Sequence, residues 1–294
     1  SDVYKRQDKN IFKVKGTYVN GQWFNSKNTY EVFNPSNGEK LSDVPISDIK
    51  ELELAVESAK KAQAVWSKTS LIERAKCLEE LSKKILEKEE EFALIDSYDS
   101  GNALTGMRKD VKETVNNIRY FCGLVREVKG ETFSMEKNHL NFTRYQPYGV
   151  VLKINPFNHP FRFCVEKIAA PLLMGNSLII KNSEQAPISS LRFCELLDNI
   201  FPKGLINVVT GGPDNGKFLV EHPDIKRIAV IGSVNTGIAI AKSAAPLLKN
   251  VSLELGGKNP IIVFDDADPE FAAGLAIKGM NLSRQGQSCS STSR

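Results

Sequence analysis

Residues 228–237 read Ile228-Ala-Val-Ile-Gly-Ser-Val-Asn-Thr-Gly237, a short apolar run that leads into a glycine-containing turn. The pattern predicts a buried strand that ends at Gly232 and a helix that begins near Thr236. Glycines at such a junction let the backbone approach a ligand, and a helix N-terminus favours a phosphate. The spacing G-x-x-x-x-G matches neither the common dinucleotide fingerprint nor the P-loop. Taken alone, the stretch fits a nucleotide site and a tight strand–helix turn equally well.

Strand-like and helical patterns alternate before this stretch. Apolar runs lie at 150–154, 177–181 and 206–209, and helical patterns lie between them at about 161–174, 187–199 and 214–221. Such alternation predicts parallel strands joined by crossover helices, and the β-branched runs fit a sheet that is buried on both faces. We therefore expect an α/β fold with a Rossmann-like parallel sheet. Pro187 is placed to be the first residue of a helix.

The N-terminal part is predicted to contain short strands over residues 17–46, followed by three amphipathic helices. The first helical pattern runs from Leu52 to Trp66, with Asp48 and Glu51 placed to cap its start. The second opens with the capping-box sequence 70–73 and continues to about Tyr98, and the third repeats apolar residues over 111–125. We expect all three apolar stripes to face the core.

Residues 129–148 have a different pattern. The segment 140–145 alternates apolar and polar residues, as a half-exposed strand does, and pairing with 130–135 would make a hairpin arm. An exposed hairpin edge can accept another strand, so the arm suits an oligomer contact. A plain surface hairpin is an equally good interpretation of these residues alone.

Composition excludes several classes of protein. The chain has 294 residues, which suggests two domains at about 150 residues each. Its 39 basic and 35 acidic residues leave a net charge of +4, so no large basic excess indicates nucleic-acid binding. No apolar run approaches the roughly 18 residues that span a membrane. Five scattered cysteines without a C-x-x-C pair argue against disulfides and zinc and favour a reducing compartment, so we expect a cytoplasmic protein without a metal site.

Lys181 and Glu184 are candidates for cofactor binding. They lie at and just beyond the end of a predicted strand, where ligands bind in open α/β sheets. The Glu184 carboxylate can accept hydrogen bonds from both hydroxyls of a ribose, and the Lys181 ammonium can donate one. The other interpretation is a solvated loop that carries two charges.

Three further residues are candidates for catalysis. Cys289 lies among Gly, Ser and Thr rather than in an apolar stripe, which makes it a candidate nucleophile. Glu254 lies between two leucines, where partial burial would raise the pKa of its carboxyl and suit it to act as a base. An exposed glutamate on an edge strand is the alternative. The Asn158 amide could stabilise an oxyanion, although Asn beside Pro also favours turns. His159 fits a packing or loop position, because no triad motif surrounds it.

Six segments in this order resemble the aldehyde dehydrogenase superfamily. They are NPFNHP (155–160), IIKNSEQAP (179–187), FPKGLINVVTGG (201–212), IGSVNTG (231–237), LELGGKNP (253–260) and GQSC (286–289). Residues 17–294 are thus similar to the N-terminal part of that superfamily, with a betaine-aldehyde-dehydrogenase-like character. The resemblance implies an NAD-binding domain over 8–252, an oligomerisation hairpin within it at about 129–148, and the start of an α/β catalytic domain over 253–294.

The resemblance also implies a role for each candidate residue. Cys289 matches the nucleophile, Glu254 the general base and Asn158 the oxyanion-stabilising amide. The residues that match the cofactor site are Lys181, Glu184, Gly232, Ser233, Gly237 and Gly256. The implied reaction is NAD(P)+-dependent oxidation of an aldehyde to a carboxylic acid through a thiohemiacetal and a thioester.

The same resemblance leaves some alternatives open. Glu184 favours NAD over NADP, because its carboxylate would repel a 2′-phosphate. Transfer of the acyl group to coenzyme A instead of water is the enzymatic alternative. The implied partners are an aldehyde and, in the full-length protein, further copies in a homodimer or homotetramer, without a membrane or nucleic acid.

Both ends of the chain suggest truncation. Residues 2–7, DVYKRQ, resemble an in-frame translation of a sequencing adapter, so Ser1–Gln7 are predicted to be non-native. The chain also lacks the later Glu-x-Phe segment of the superfamily. We therefore expect a C-terminally truncated fragment that is inactive by itself and serves at most as a cofactor-binding module.

Overall fold

The computed structural model describes residues 9–281 and 284–291, so the predicted leader Ser1–Gln7 lies outside the described residues. The strands are β1 (Thr17–Val19), β2 (Gln22–Phe24), β3 (Thr29–Phe33), β4 (Lys40–Pro45), β5 (Thr132–Glu136), β6 (His139–Phe142), β7 (Val150–Ile154), β8 (Ser177–Lys181), β9 (Ile206–Val209), β10 (Ile225–Gly232) and β11 (Asn250–Leu255). The α-helices are α1 (Ile49–Trp66), α2 (Leu71–Glu87), α3 (Glu89–Ser100), α4 (Leu104–Leu124), α5 (Pro160–Val165), α6 (Ala169–Leu173), α7 (Ile188–Phe193), α8 (Pro213–Glu221), α9 (Val234–Ala244) and α10 (Pro269–Gly279).

A seven-stranded sheet forms the centre of the molecule, in the order β11-β10-β7-β8-β9-β1-β2. The five strands from β11 to β9 are parallel, whereas β1 runs antiparallel to β9. The α/β fold with a parallel sheet is therefore confirmed. From β7 the chain adds β8 and β9 on one side and then β10 and β11 on the other. The direction of strand order thus reverses between β7 and β10.

Two apolar clusters cover the two faces of this sheet. Residues of α1, such as Leu52 and Val56, pack with α8 and α9 against Leu152 and Ile179 on one face. Helices α2 to α7 cover the other face, where Val151 joins the larger cluster. The three predicted stripes face the core, as expected from their periodicity.

Helix ends follow the predicted caps, but one predicted helix is interrupted. Ser70 and Glu73 form a complete capping box at the start of α2, and the Asp48 side chain caps α1. The single helix predicted to reach Tyr98 is wrong, because the chain leaves helical geometry at Lys88 and α3 begins at Glu89. On α3, Phe92 packs against Phe161 of α5.

Two of the three predicted crossover helices are shorter than predicted. The pattern at 161–174 corresponds to α5 and α6 with a 3₁₀ turn between them, and α7 has only six residues. Pro187 is the N-cap of α7 and not its first residue. The Ile188 N–H instead donates to the Asp99 carboxylate of α3 at 3.0 Å. A side chain from a distant helix therefore supplies the cap.

The predicted hairpin arm is present as β5 and β6. Its exposed apolar residues are Phe133, Met135, Leu140 and Phe142. Its role in oligomerisation stays a prediction, as does the domain boundary after residue 252, which falls inside β11. In the part of the chain that the structure describes, no helix has the length and apolarity that crossing a membrane requires.

Candidate functional site

A cavity of about 540 Å³ opens at the carboxyl ends of β7, β8 and β10. Its walls come from the segments that follow these strands and from α8 and α9. The cavity lies beside the point where the strand order reverses, which is the usual ligand position in open α/β sheets. Lys181, Glu184, Gly232 and Ser233 line it, so the structure brings four of the predicted cofactor residues together.

Lys181 and Glu184 occupy different depths of this cavity. Lys181 ends β8 and is 7% exposed, and its burial lowers the pKa of the ammonium although Glu184 opposes the shift. Glu184 is exposed in the loop that follows. The ends of β7 and β8 are tied together because Asn155 Nδ2 donates to Asn182 Oδ1 at 3.0 Å. The pair therefore combines a buried cation with an exposed carboxylate beside one rigid strand end.

The glycine-containing turn after β10 differs from its prediction in two details. Helix α9 begins at Val234, earlier than expected, because Ser233 caps it by accepting a hydrogen bond from Thr236 N at 3.1 Å. Gly237 is buried, and a Cβ atom there would lie 2.7 Å from Leu255 Cδ2. Gly237 thus permits close packing of α9 on β11. Among the described residues, neither Gly237 nor the exposed Gly256 lines the cavity, so their role in cofactor binding stays a prediction.

Asn158 lies against the loop that carries Cys289. Its Nδ2 donates to the Gln287 carbonyl oxygen at 2.6 Å, and Cys289 is exposed two residues further on. Asn259 holds the same loop, because its Nδ2 donates to the carbonyl oxygens of Cys289 at 2.5 Å and Ser291 at 3.1 Å. The predicted oxyanion donor and the predicted nucleophile thus belong to segments that touch.

Glu254 lies on the edge strand β11 and is exposed. The expected partial burial is therefore wrong, because an edge strand has a neighbouring strand on only one side. Glu254 lines a second cavity of about 590 Å³, together with Lys153 and Lys167. Alternation along β7 places this cavity on the sheet face opposite to the cofactor-binding candidates. The Cys289 loop is not part of its lining in the described residues.

Comparison with known proteins decides the family. The sequence profile of the aldehyde dehydrogenase family matches residues 23–294. The chain belongs to the aldehyde dehydrogenase family. The resemblance inferred from the six sequence segments is thereby confirmed.

Individual aldehyde dehydrogenases are similar over nearly the whole chain. Aldehyde dehydrogenase tropH of Talaromyces stipitatus is 38% identical over 282 residues, which are 94% of this chain and 55% of that protein. Hydroxyisobutyraldehyde dehydrogenase of Mycolicibacterium austroafricanum is 37% identical, over 94% of this chain and 56% of that protein. Betaine aldehyde dehydrogenase from Staphylococcus aureus in complex with NAD+ has a TM-score of 0.92 at 35% identity, over 96% of this chain and 57% of that one. The chain thus spans about half the length of the curated relatives it matches.

Sequence reasoning missed a buried charge cluster in this aldehyde dehydrogenase chain. His159 is not merely a packing or loop residue, because its Nδ1 lies 2.7 Å from Asp110 Oδ2. Arg284 Nη2 donates to the other oxygen of the same carboxylate at 2.6 Å. The available signal was the position of Asp110, which lies on the apolar face of α4 beside Val111.

Lys153 is a second missed feature. It interrupts the apolar run of β7, and its Nζ donates to the carbonyl oxygens of Phe163 and Cys164, both at 3.0 Å. Burial lowers the pKa of this ammonium to about 8. A lysine inside an otherwise apolar strand was the signal that could have identified it.

Proposed function

We propose that the full-length protein oxidises an aldehyde to a carboxylic acid with NAD(P)+ as the oxidant. The observation that carries the proposal is the contact of the Asn158 amide with the Cys289 loop, next to a cavity at the carboxyl ends of parallel strands. The aldehyde dehydrogenases named above support the reaction class. An amide donor beside a soft nucleophile suits carbonyl chemistry, in which a negative charge develops on oxygen.

The cavity fits a dinucleotide with NAD as the preferred form. Glu184 is available to the adenosine ribose hydroxyls and Lys181 to one of them, while the first-turn N–H groups of α9 suit a pyrophosphate. The exposed Glu184 carboxylate disfavours the 2′-phosphate of NADP. When bound, NAD+ supplies the hydride acceptor of the reaction.

The reacting groups of the chain act in two stages. The Cys289 thiolate forms a bond to the aldehyde carbon, and the carbonyl electrons move to oxygen, where Asn158 Nδ2 donates a hydrogen bond. This amide nitrogen carries two hydrogens, of which one is donated to the Gln287 carbonyl oxygen and the other is available to the oxyanion. Departure of the hydride leaves a thioester on Cys289. Glu254 then takes a proton from water, whose oxygen attacks the thioester carbon, and cleavage of the C–S bond releases the acid and the thiolate.

The nucleophile is tested by Cys289→Ala in the full-length protein. A panel of aldehydes is offered with NAD+, and NADH absorbance is followed. We expect NADH formation to disappear in Cys289→Ala and to persist in the matched control Cys77→Ala, because Cys77 is a partly buried residue of α2. Wild-type turnover by Cys289→Ala would refute the assignment.

The base is tested by Glu254→Gln in a rapid-mixing assay. We expect a first turnover of NADH at the wild-type rate followed by slow turnover, because only thioester hydrolysis requires the base. A parallel loss of both phases contradicts this role. Product analysis with and without coenzyme A distinguishes the acid from an acyl-coenzyme A product.

We propose that the full-length protein forms a homodimer or homotetramer through the β5–β6 hairpin. The supporting feature is the exposed apolar side chains of the arm, of which Met135 is 77% and Leu140 70% exposed. Light scattering should give a smaller mass for Leu140→Glu and an unchanged mass for the control Val65→Glu, whose site on α1 is 63% exposed. An unchanged mass for both variants refutes the interface.

A further inference from the structure

The Asp110 carboxylate contacts both of the segments that meet at the candidate catalytic site. Its side chain is completely buried on α4. Oδ2 pairs with His159, which directly follows Asn158, and Oδ1 accepts from Arg284, which precedes the Cys289 loop. One buried carboxylate thus contacts both the segment that carries Asn158 and the segment that leads to Cys289.

The turn after α3 makes a second pair of bonds to the same two segments. Asn102 Nδ2 donates to the Asn158 carbonyl oxygen at 2.9 Å, and Gln285 Nε2 donates to the Gly101 carbonyl oxygen. Gly101 has a φ of +74°, a backbone conformation that residues with a side chain rarely adopt. We call Gly101, Asn102 and Asp110 the brace. Each catalytic segment is bonded to it twice.

Arg284 and Arg162 differ in the number of carboxylates with which each forms ion pairs. Arg162 lies 3.4 Å from Asp110 and also pairs with Glu113 and Glu166, so its charge is shared among three carboxylates. Arg284, itself buried, has its ion pair with Asp110 in the part of the chain described here. Removal of Asp110 would take away the ion-pair partner that the buried Arg284 guanidinium has among the described residues. The Arg284–Asp110 ion pair thus connects α4 to the start of the Cys289 loop.

We propose that Asp110 and Arg284 are positioning residues, which fix the Cys289 loop against Asn158 in the geometry that the reaction needs. They touch no substrate and act through Asn158 and Cys289. The proposal rests on the function proposed above. Its physical basis is that a displacement of about 1 Å between reacting groups can lower a rate about 100-fold.

The kinetic test uses Arg284→Met, Arg284→Lys and Asp110→Asn in the full-length protein. The measured quantity is the rate of the first NADH turnover per NAD-binding site, which excludes any unfolded fraction. We expect Arg284→Met and Asp110→Asn to lower this rate about 10- to 100-fold without changing the Kd for NAD+. Arg284→Lys should restore most of the rate, because it retains the charge. Arg108→Met on α4 is the control, since it removes an exposed ion pair with Glu90 of α3.

Hydrogen exchange gives a readout that does not depend on activity. In Arg284→Met, amides in a peptide that covers 284–291 should exchange at least about tenfold faster, while amides of α4 keep their protection. If the wild type forms no NADH, the proposed function fails. The hydrogen-exchange measurement then tests by itself whether Asp110 and Arg284 position the loop. Unchanged exchange together with an unchanged first turnover overturns the proposal. A joint loss of NAD+ binding and turnover that Arg284→Lys does not rescue also overturns it, since the pair would then only stabilise the fold.

Discussion

The buried carboxyl of Asp96 predicts that stability falls as the pH rises. Asp96 lies on α3, is 1% exposed, and accepts a hydrogen bond from Phe161 N at the start of α5 at 3.0 Å. Burial raises the pKa of this carboxyl from 3.8 to about 7, against the opposing effects of Ser189, the Phe161 N–H and Arg284. The folded protein therefore holds a proton that the unfolded chain releases at lower pH.

Asp96→Asn removes this titration and keeps an oxygen that can accept from Phe161. At about 1.4 kcal/mol for each pKa unit, the change from 3.8 to about 7 corresponds to at most about 4 kcal/mol. Below about pH 4 the carboxyl is protonated in both the folded and the unfolded state, so its titration does not change the free energy of unfolding. Between about pH 4 and 7 the free energy of unfolding of the wild type falls relative to the variant, and above that range the difference is constant.

Urea unfolding followed by circular dichroism measures this difference. Wild type and Asp96→Asn are compared at about pH 5 and about pH 8, at one fixed protein concentration. Asp224→Asn serves as the control, because Lys60 lowers the pKa of the Asp224 carboxyl, so its effect on the free energy of unfolding is the same at both pH values and changes only below about pH 4. A stability difference between Asp96→Asn and wild type that is the same at both pH values would refute the reasoning.

Two further predictions concern a helix cap and the cofactor. Ser70→Ala should lower the free energy of unfolding by about 1 kcal/mol, because it removes the acceptor for Glu73 N; thermal unfolding measures this, with the exposed Ser36→Ala as the comparison. In the full-length protein, Glu184→Ser should shift the ratio of kcat/KM for NAD+ over NADP+ towards NADP+ by about tenfold, corresponding to about 1.4 kcal/mol of removed repulsion. An unchanged ratio would show that Glu184 does not determine the choice between NAD+ and NADP+.

Local patterns were sufficient for the central strands but not for the contacts between distant segments. Strands β7, β8 and β9 coincide with the predicted apolar runs, because short β-branched stretches bounded by turn residues define their own ends. The Asp110 cluster joins residues 49 and 174 positions apart, a separation that periodicity does not register. The exposure of Glu254 likewise depends on what lies beside β11. The sequence pattern therefore predicts the ends of the central strands better than it predicts the surroundings of the candidate residues.

The two carboxylates of α3 have a consequence for the order of folding. Asp96 and Asp99 cap α5 and α7, which have six residues each, by accepting from N–H groups that are 65 and 89 positions away. Helices this short do not persist alone in water, because nucleation costs more than a few hydrogen bonds return. We therefore expect α5 and α7 to form only after α3 has docked, which requires closure of two long loops. Helix α3 would then determine where these two short helices begin.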